Sequence, residues 1–339
     1  MKRFWSISFV SIMLSFLFSC GNERQAPKIL QGNAFGTTYG IQYFSDTTFD
    51  IKKGVDSVIY AVNRSVSTYM PESDISKINR GDSTVKVDAI FKEVFRISEM
   101  VHTNSNGYFD PTVGVLRNAY GFGDTKPLNE IDAKTLDSLM PLVGFQKVTI
   151  AANGMVKKEH PNTYLDFNAV AKGYGIDCIG NYLEQKGVRN YLVELGGEIL
   201  AKGTNKAKHT SWVVGVEALD SELSNRNASV VIQLKNKAMA GSGNYRKFRV
   251  DSVSGKKYVH TINPLTGSAE ESNVTSATII ANTCGVADAY ATACMSIGFE
   301  KAKKMISAID DVEVYLTYND SLNRPQVYIS QGFKKLILQ

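Results

Sequence analysis

Asp288 and Thr292 stand four residues apart in the stretch Asp288-Ala289-Tyr290-Ala291-Thr292. On a helix, positions i and i+4 share a face, so a carboxylate and a hydroxyl would present oxygen side by side. Such a pair suits a hard cation such as Mg²⁺. It equally suits a structural role, in which a first-turn Asp complements the helix dipole and the Thr bonds back to its own helix. Spacing alone favours the structural role. A second group pairs Asp166, at the expected end of a strand, with Lys172 in the first turns of the helix that follows; Gly173 and Gly175 lie just beyond. A strand-to-helix junction turns backbone N–H groups toward anions, and Lys172 there would reach a phosphate. The alternative is an N-cap Asp beside a solvated Lys. His260 sits where a strand runs into a Pro-containing turn, and reads as an acid/base group, a phosphate contact or a structural histidine. Phe35 and Tyr69 are rings that stack on an aromatic ligand or fill a core.

The elements that must position these groups follow from periodicity. Residues 29–44 alternate, with Tyr39, Ile41 and Tyr43 on one face, and read as a strand pair. Ile51, Val55, Ile59, Val62 and Val66 recur at helical spacing, and a second helix starts at Asp88, an N-cap. A third helix is expected near residues 130–140. Asn153-Gly154 signals a type I′ hairpin between residues 147–150 and 155–158. Residues 164–167 read as a strand, followed by a helix over 170–185 that Gly187 closes. Strands then dominate, at 191–195, 212–216, 230–234, 248–250, 258–262 and 274–280. Helices over 286–297 and 300–309 and strands at 312–318 and 326–329 complete the order. Several strands follow one another without an intervening helix. The expected fold is therefore α+β, with mixed, largely antiparallel sheets flanked by helices. Glycine-rich loops are expected at Gly107, Gly121-Phe122-Gly123, Gly196-Gly197 and Gly241-Ser242-Gly243, each admitting a large ligand or simply making a turn.

Composition narrows the chemistry. With 339 residues, 43% hydrophobic and 21% charged, the chain is an ordinary globular one. The net charge is +5, without a block of five like charges, so no nucleic-acid footprint is indicated. No GxGxxG after a strand, Walker A, HExxH or GxSxG motif occurs. Only four His are present, so a metal here would be held by oxygen.

The N-terminus reads as an address. Lys2 and Arg3 precede an uncharged run from Phe4 to Ser19, the pattern of a signal peptide over residues 1–19. Leu17-Phe18-Ser19-Cys20-Gly21 is similar to a bacterial lipobox, which makes Cys20 the acylated residue and residues 20–28 a tether. A plain signal peptide or an uncleaved anchor is the alternative. Cleavage would leave Cys178, Cys284 and Cys294 besides Cys20, an odd set without CxxC spacing and so no disulfide framework. The expected location is outside the cytoplasm, lipid-anchored to a bacterial membrane and facing the periplasm. Residues 29–339 would form the working domain.

Taken in order, several segments resemble the ApbE family, the FAD:protein FMN transferases. They include Phe35-Gly36-Thr37-Thr38-Tyr39, Ser67-Thr68-Tyr69 with Ser73-Asp74-Ile75-Ser76-Lys77-Ile78-Asn79, and Gly107-Tyr108-Phe109-Asp110-Pro111-Thr112-Val113-Gly114. Tyr120-Gly121-Phe122-Gly123 and residues 165–177, 192–203, 260–267 and 288–298 continue the series. The chain departs from the family at Phe35, where Met is frequent, at Tyr120, where Trp is frequent, and at Asn168, where Gly or Ser is common. A Thr-Ser-Gly motif of the family stands here as Gly241-Ser242-Gly243. The resemblance implies FAD contacts from Phe35, Tyr69, Tyr108, Phe109, Asp110, Asp166, Lys172, His260 and Ile262. It implies Mg²⁺ ligation by Asp288, Thr292 and the backbone carbonyl of Ala169. It further implies attack of a Thr or Ser hydroxyl of a partner protein on the FMN-side phosphorus of FAD, with AMP leaving. Electron-transfer subunits are the implied acceptors. His260 is the preferred proton acceptor, with Asp166 as the alternative, and Lys172 a phosphate contact. An FAD pyrophosphatase yielding free FMN and AMP, and a flavin-binding lipoprotein without turnover, are the competing expectations.

Overall fold

Strands that are buried on both faces read as nearly continuous apolar runs, and the sheet at the centre of this protein is of that kind. The structure is a computed structural model and describes residues 26–128, 131–217, 228–244, 248–250 and 257–338. The first half contains β1 (Lys28–Ala34), β2 (Thr37–Phe44), α1 (Ile51–Val66), α2 (Asp74–Asn79), α3 (Ala89–Asn104), α4 (Gly114–Tyr120), α5 (Ala133–Leu139), β3 (Val148–Ile150), β4 (Val156–Lys158) and α6 (Asn168–Gln185). The second half contains β5 (Asn190–Leu195), β6 (Glu198–Lys202), β7 (Trp212–Glu217), β8 (Ala228–Leu234), β9 (Lys237–Gly243), β10 (Phe248–Val250) and β11 (Lys257–Val259). It ends with β12 (Val274–Ala281), α7 (Cys284–Ile297), α8 (Phe299–Ser307), β13 (Glu313–Asn319), β14 (Pro325–Ile329) and α9 (Gln331–Lys334).

Eight of the strands form one antiparallel sheet, ordered β1-β2-β5-β6-β9-β12-β13-β14. Side chains alternate between its faces with the period of two that strands impose. Ile41, Val193, Leu195, Ala238, Ala240, Ala277 and Ile279 point to the helical layer, where they meet α6 and α7. Phe44, Leu192, Ile199, Met239, Ile280 and Tyr315 point the other way, onto Trp212, Ile232 and Phe333 of the β7–β8 ribbon and α9. The α+β expectation therefore holds, with the large sheet wholly antiparallel. Among the described residues no helix is long and apolar enough to cross a membrane. Residues 1–25, with the expected signal peptide and Cys20, lie outside the described residues.

Four local expectations are corrected. Asn153-Gly154 does not form a type I′ turn: only Gly154 has positive φ, and the Gly154 N–H donates to Ala151 O at 2.8 Å. That is a type I turn followed by a left-handed glycine, the three-residue hairpin loop. The signature of type I′, positive φ at both central residues, occurs instead between β1 and β2, at Phe35 (φ 50) and Gly36 (φ 76). Residues 164–167 form no strand: Leu165 pairs with the Asn79 carboxamide, which donates to Leu165 O at 2.8 Å and accepts from Leu165 N at 2.9 Å. A side-chain amide there takes the place of a neighbouring strand. Gly241-Ser242-Gly243 is no loop but the end of β9, paired with β12. The strand expected at 258–262 stops at Val259, and residues beyond it turn.

Candidate active site

The helices α6 and α7 approach so closely at Gly173 that no Cβ fits there. A Cβ on Gly173 would lie 2.4 Å from Cys284 O and 2.9 Å from the Asp288 Cβ. Two carboxylates fasten the contact in opposite directions. Asp177 of α6 accepts from Cys284 N (2.7 Å) and Gly285 N (2.8 Å), capping the start of α7, while Asp288 of α7 accepts from Gly173 N at 3.0 Å. In a regular helix the N–H of residue 173 bonds the carbonyl of residue 169. By drawing on that N–H, Asp288 competes with Ala169 O for it and favours the carbonyl as a ligand for something else.

Ala169, Asp288 and Thr292 all line one cleft of about 810 Å³, a size suited to a large cofactor-like molecule. Lys172, Asp166, His260 and Ile262 line it too, as do Phe35, Tyr108, Phe109 and Asp110. The structure thus brings together every residue expected at the site except Tyr69, which is 62% exposed and outside the lining. Phe35 enters the cleft from the β1–β2 turn with a left-handed backbone, strained for a bulky residue. Its ring lies over Gly175, where a Cβ would be 2.7 Å from it. Tyr108 is held by the Ser296 hydroxyl, which donates to Tyr108 O at 2.6 Å, and by Lys301 Nζ, 2.6 Å from its phenol.

Two expected contacts turn out to be occupied. The Asp110 carboxylate accepts from Thr112 N (2.7 Å), Thr112 Oγ1 (2.5 Å) and Phe145 N (2.9 Å), so it shapes its own loop. Asp166 is ion-paired with Arg117 and accepts from Asn168 N at 2.8 Å. Arg117 and Glu198 line the cleft and went unrecognised in the sequence; their partners, Asp166 and Lys172, lie far along the chain in each case.

Charge decides what the cleft needs. Among the described residues, Asp110, Asp166, Glu194, Glu198, Glu217 and Asp288 line it, against the cations Arg117 and Lys172. Burial raises the Asp288 carboxyl above its ordinary value, against the pull of Lys172 and the Gly173 N–H. Burial likewise lifts Glu198 to about 7, Lys172 opposing. Lys172 is drawn down by burial, yet Glu198 and Asp288 outweigh this and keep it charged. An anionic ligand enters so acidic a cleft only with a cation beside it. A carboxylate, a hydroxyl and a carbonyl form the oxygen donor set that Mg²⁺ prefers, so the residues fit that ion.

A family model described as the ApbE family matches residues 35–316. The chain belongs to the ApbE family. It is 31% identical to an FAD:protein FMN transferase of Haemophilus influenzae, over 99% of both chains. It is 30% identical to one of Vibrio cholerae, over 90% of this chain and 91% of that one. The solved structure of the flavin transferase ApbE from Vibrio cholerae superposes with a TM-score of 0.80 at 29% identity, covering 91% of this chain and 99% of that one. As an ApbE protein, the chain carries its acidic cleft and its α6–α7 clamp within the matched residues.

Proposed function

We propose that this ApbE protein transfers FMN from FAD to a Thr or Ser hydroxyl of an acceptor protein, releasing AMP. The observation that supports the reading best is the convergence of Ala169, Lys172, His260, Asp288 and Thr292 on one cleft. Asp288, Thr292 and the Ala169 carbonyl would hold Mg²⁺, which when bound supplies Lewis acidity toward phosphate oxygens. Lys172 binds a phosphate oxygen as a point charge. Phe35 and Tyr108 offer rings to the flavin, and Arg117 holds the Asp166 carboxylate in place at the start of α6. The acceptor oxygen forms a bond to the FMN-side phosphorus as the bond from that phosphorus to the AMP phosphate oxygen breaks. The hydroxyl proton passes to His260. Positioning and charge neutralisation carry most of such a displacement.

The proposal extends to place and partners. Residues 1–21 direct export and acylation at Cys20, anchoring the domain at a bacterial membrane on its periplasmic side. Acceptors would be electron-transfer subunits exposed there. The test incubates the full chain in detergent with FAD and Mg²⁺, with and without an acceptor domain. In-gel flavin fluorescence on the denatured acceptor supports transfer. Free FMN formed equally without acceptor would replace transfer by hydrolysis, and intact FAD would reduce the protein to a carrier.

A further inference from the structure

Buried carboxylates in this protein are, as a rule, tied to backbone N–H groups. Asp177 takes two at the start of α7 and Asp110 takes those of Thr112 and Phe145; the half-buried Glu313 likewise takes those of Gly332 and Phe333. Each of these joins two segments, which is a structural use. Glu198 differs. It opens β6, directly after the Gly196-Gly197 turn, and is 3% exposed. One of its oxygens is ion-paired with Lys172 Nζ, and the other, Oε2, is buried without a hydrogen-bond partner. Among the described residues no backbone N–H of another segment reaches it. A fold that needed this carboxylate for its own sake would have satisfied both oxygens. Glu198 lines the cleft together with Lys172.

We propose that Glu198 is the positioning residue of Lys172: it fixes the ammonium on the β6 side of the cleft, so that Lys172 can bridge Glu198 and a phosphate oxygen of the bound dinucleotide. This rests on the FMN-transfer reading. The geometry supports it. An ammonium has three donors, and one is on Glu198 Oε1, which leaves two for a ligand. Lys172 is the one cationic side chain that the α6 wall brings beside Asp288, and its side chain keeps 27% exposure while that of Glu198 keeps 4%. The carboxylate is thus buried behind the lysine, and the lysine faces the cleft. Without Glu198 the lysine would be free to turn onto Asp288, the expected cation ligand, and would then be lost to the phosphates while occupying the carboxylate that the cation needs.

The test is a double-mutant cycle on AMP release from FAD, with Mg²⁺ and a Thr/Ser-bearing acceptor domain present, using the full chain in detergent. Glu198→Gln keeps the shape and removes the charge. It is expected to lower kcat by on the order of 10- to 100-fold, with KM for FAD changed far less. Glu198→Asp should recover part of the loss. In a Lys172→Met background, Glu198→Gln should cost less than about twofold, because the partner it acts through is gone. Losses that multiply in the double variant, or a Glu198→Gln protein as active as the wild type, overturn the inference. Should Glu198→Gln fail to fold, Glu198→Asp takes its place in the cycle, and an equal drop with and without Lys172 overturns it. A wild-type chain that releases no AMP from FAD fails the underlying reading instead, so the two failures are distinct.

Discussion

Replacing Gly173 by Ala inserts one methyl where α6 meets α7. The added Cβ would sit 2.4 Å from Cys284 O, and an ordinary contact begins at 3.4 Å, so the helices must part by about 1 Å. Cys284 O is backbone and has no rotamer in which to retreat. Parting by that amount stretches the Gly173 N to Asp288 bond from 3.0 Å, and the Asp177 bonds to Cys284 and Gly285 from 2.7 and 2.8 Å, toward or past hydrogen-bonding range. Overpacking costs about 1–3 kcal/mol and a buried donor or acceptor left unmatched about 1–3 kcal/mol. The better helix propensity of Ala returns about 1 kcal/mol. The net is about 1–5 kcal/mol, a fall of roughly 1.5–7 °C in Tm for a chain of this size. Because the same contact aims Asp288 and Ala169, transfer should fall by about 10- to 100-fold, as expected when cation ligands lose their outer support. Thermal melting by circular dichroism and acceptor labelling by FAD are the assays. A Gly173→Ala protein that melts within about 1 °C of the wild type and labels at full rate refutes the claim that the helix contact holds the site.

Two further outcomes follow from particular contacts. Phe35→Asn exchanges a strained left-handed Phe for a residue that tolerates that conformation, and the relief of about 1–3 kcal/mol offsets the lost packing over Gly175. Tm should therefore change little while FAD affinity, read by flavin fluorescence quenching, weakens by about tenfold; a large Tm loss with unchanged affinity would make the ring structural. Asp177→Asn leaves one of the two α7 N–H groups without an acceptor and should cost about 1–3 kcal/mol. Burial, opposed by those two N–H groups, holds the Asp177 carboxyl up at about 7, against an ordinary 3.8. The native state thus binds this proton more tightly than the unfolded chain. Its stabilisation is fully present in acid and is lost as pH rises through about 7. Wild-type Tm should fall between about pH 4 and about pH 7 more steeply than that of Asp177→Asn, and parallel curves would contradict the assignment.

Local patterns were readable where one segment decides its own structure. Asp50 and Asp88 cap α1 and α3 through Lys53 N and Phe91 N, as their position before apolar helical repeats suggests. Strands β5 and β12 carry apolar residues on both faces, as at Leu192 and Val193 and at Ile279 and Ile280, because both faces of the sheet are covered. What could not be read was set by distant partners. The Gly241-Ser242-Gly243 tract has no strand propensity of its own and is a strand because β12 pairs with it. Residues 164–167 look like a strand, yet the partner that claims Leu165 is the side chain of Asn79. The type I′ turn signal was strongest at Asn153-Gly154, while Phe35-Gly36 takes both positive φ values because the strands on either side demand it. At the site, Asp288 and Thr292 were legible as an i, i+4 pair, but a carbonyl ligand such as Ala169 has no side-chain signal at all. The occupied state of Asp110 and Asp166, and the Lys172–Glu198 pair, needed coordinates.

The central claim is that this cleft moves FMN from FAD onto a protein hydroxyl with Asp288 holding the required cation. The intact mass of an acceptor domain after incubation with FAD, Mg²⁺ and the full chain tests it most directly, with Asp288→Ala run in parallel. The account predicts that the wild-type chain adds one FMN, linked as a phosphoester to a Thr or Ser, with one AMP released per acceptor labelled, and that Asp288→Ala adds none. An acceptor of unchanged mass beside the wild-type chain, or full labelling by Asp288→Ala, would contradict it.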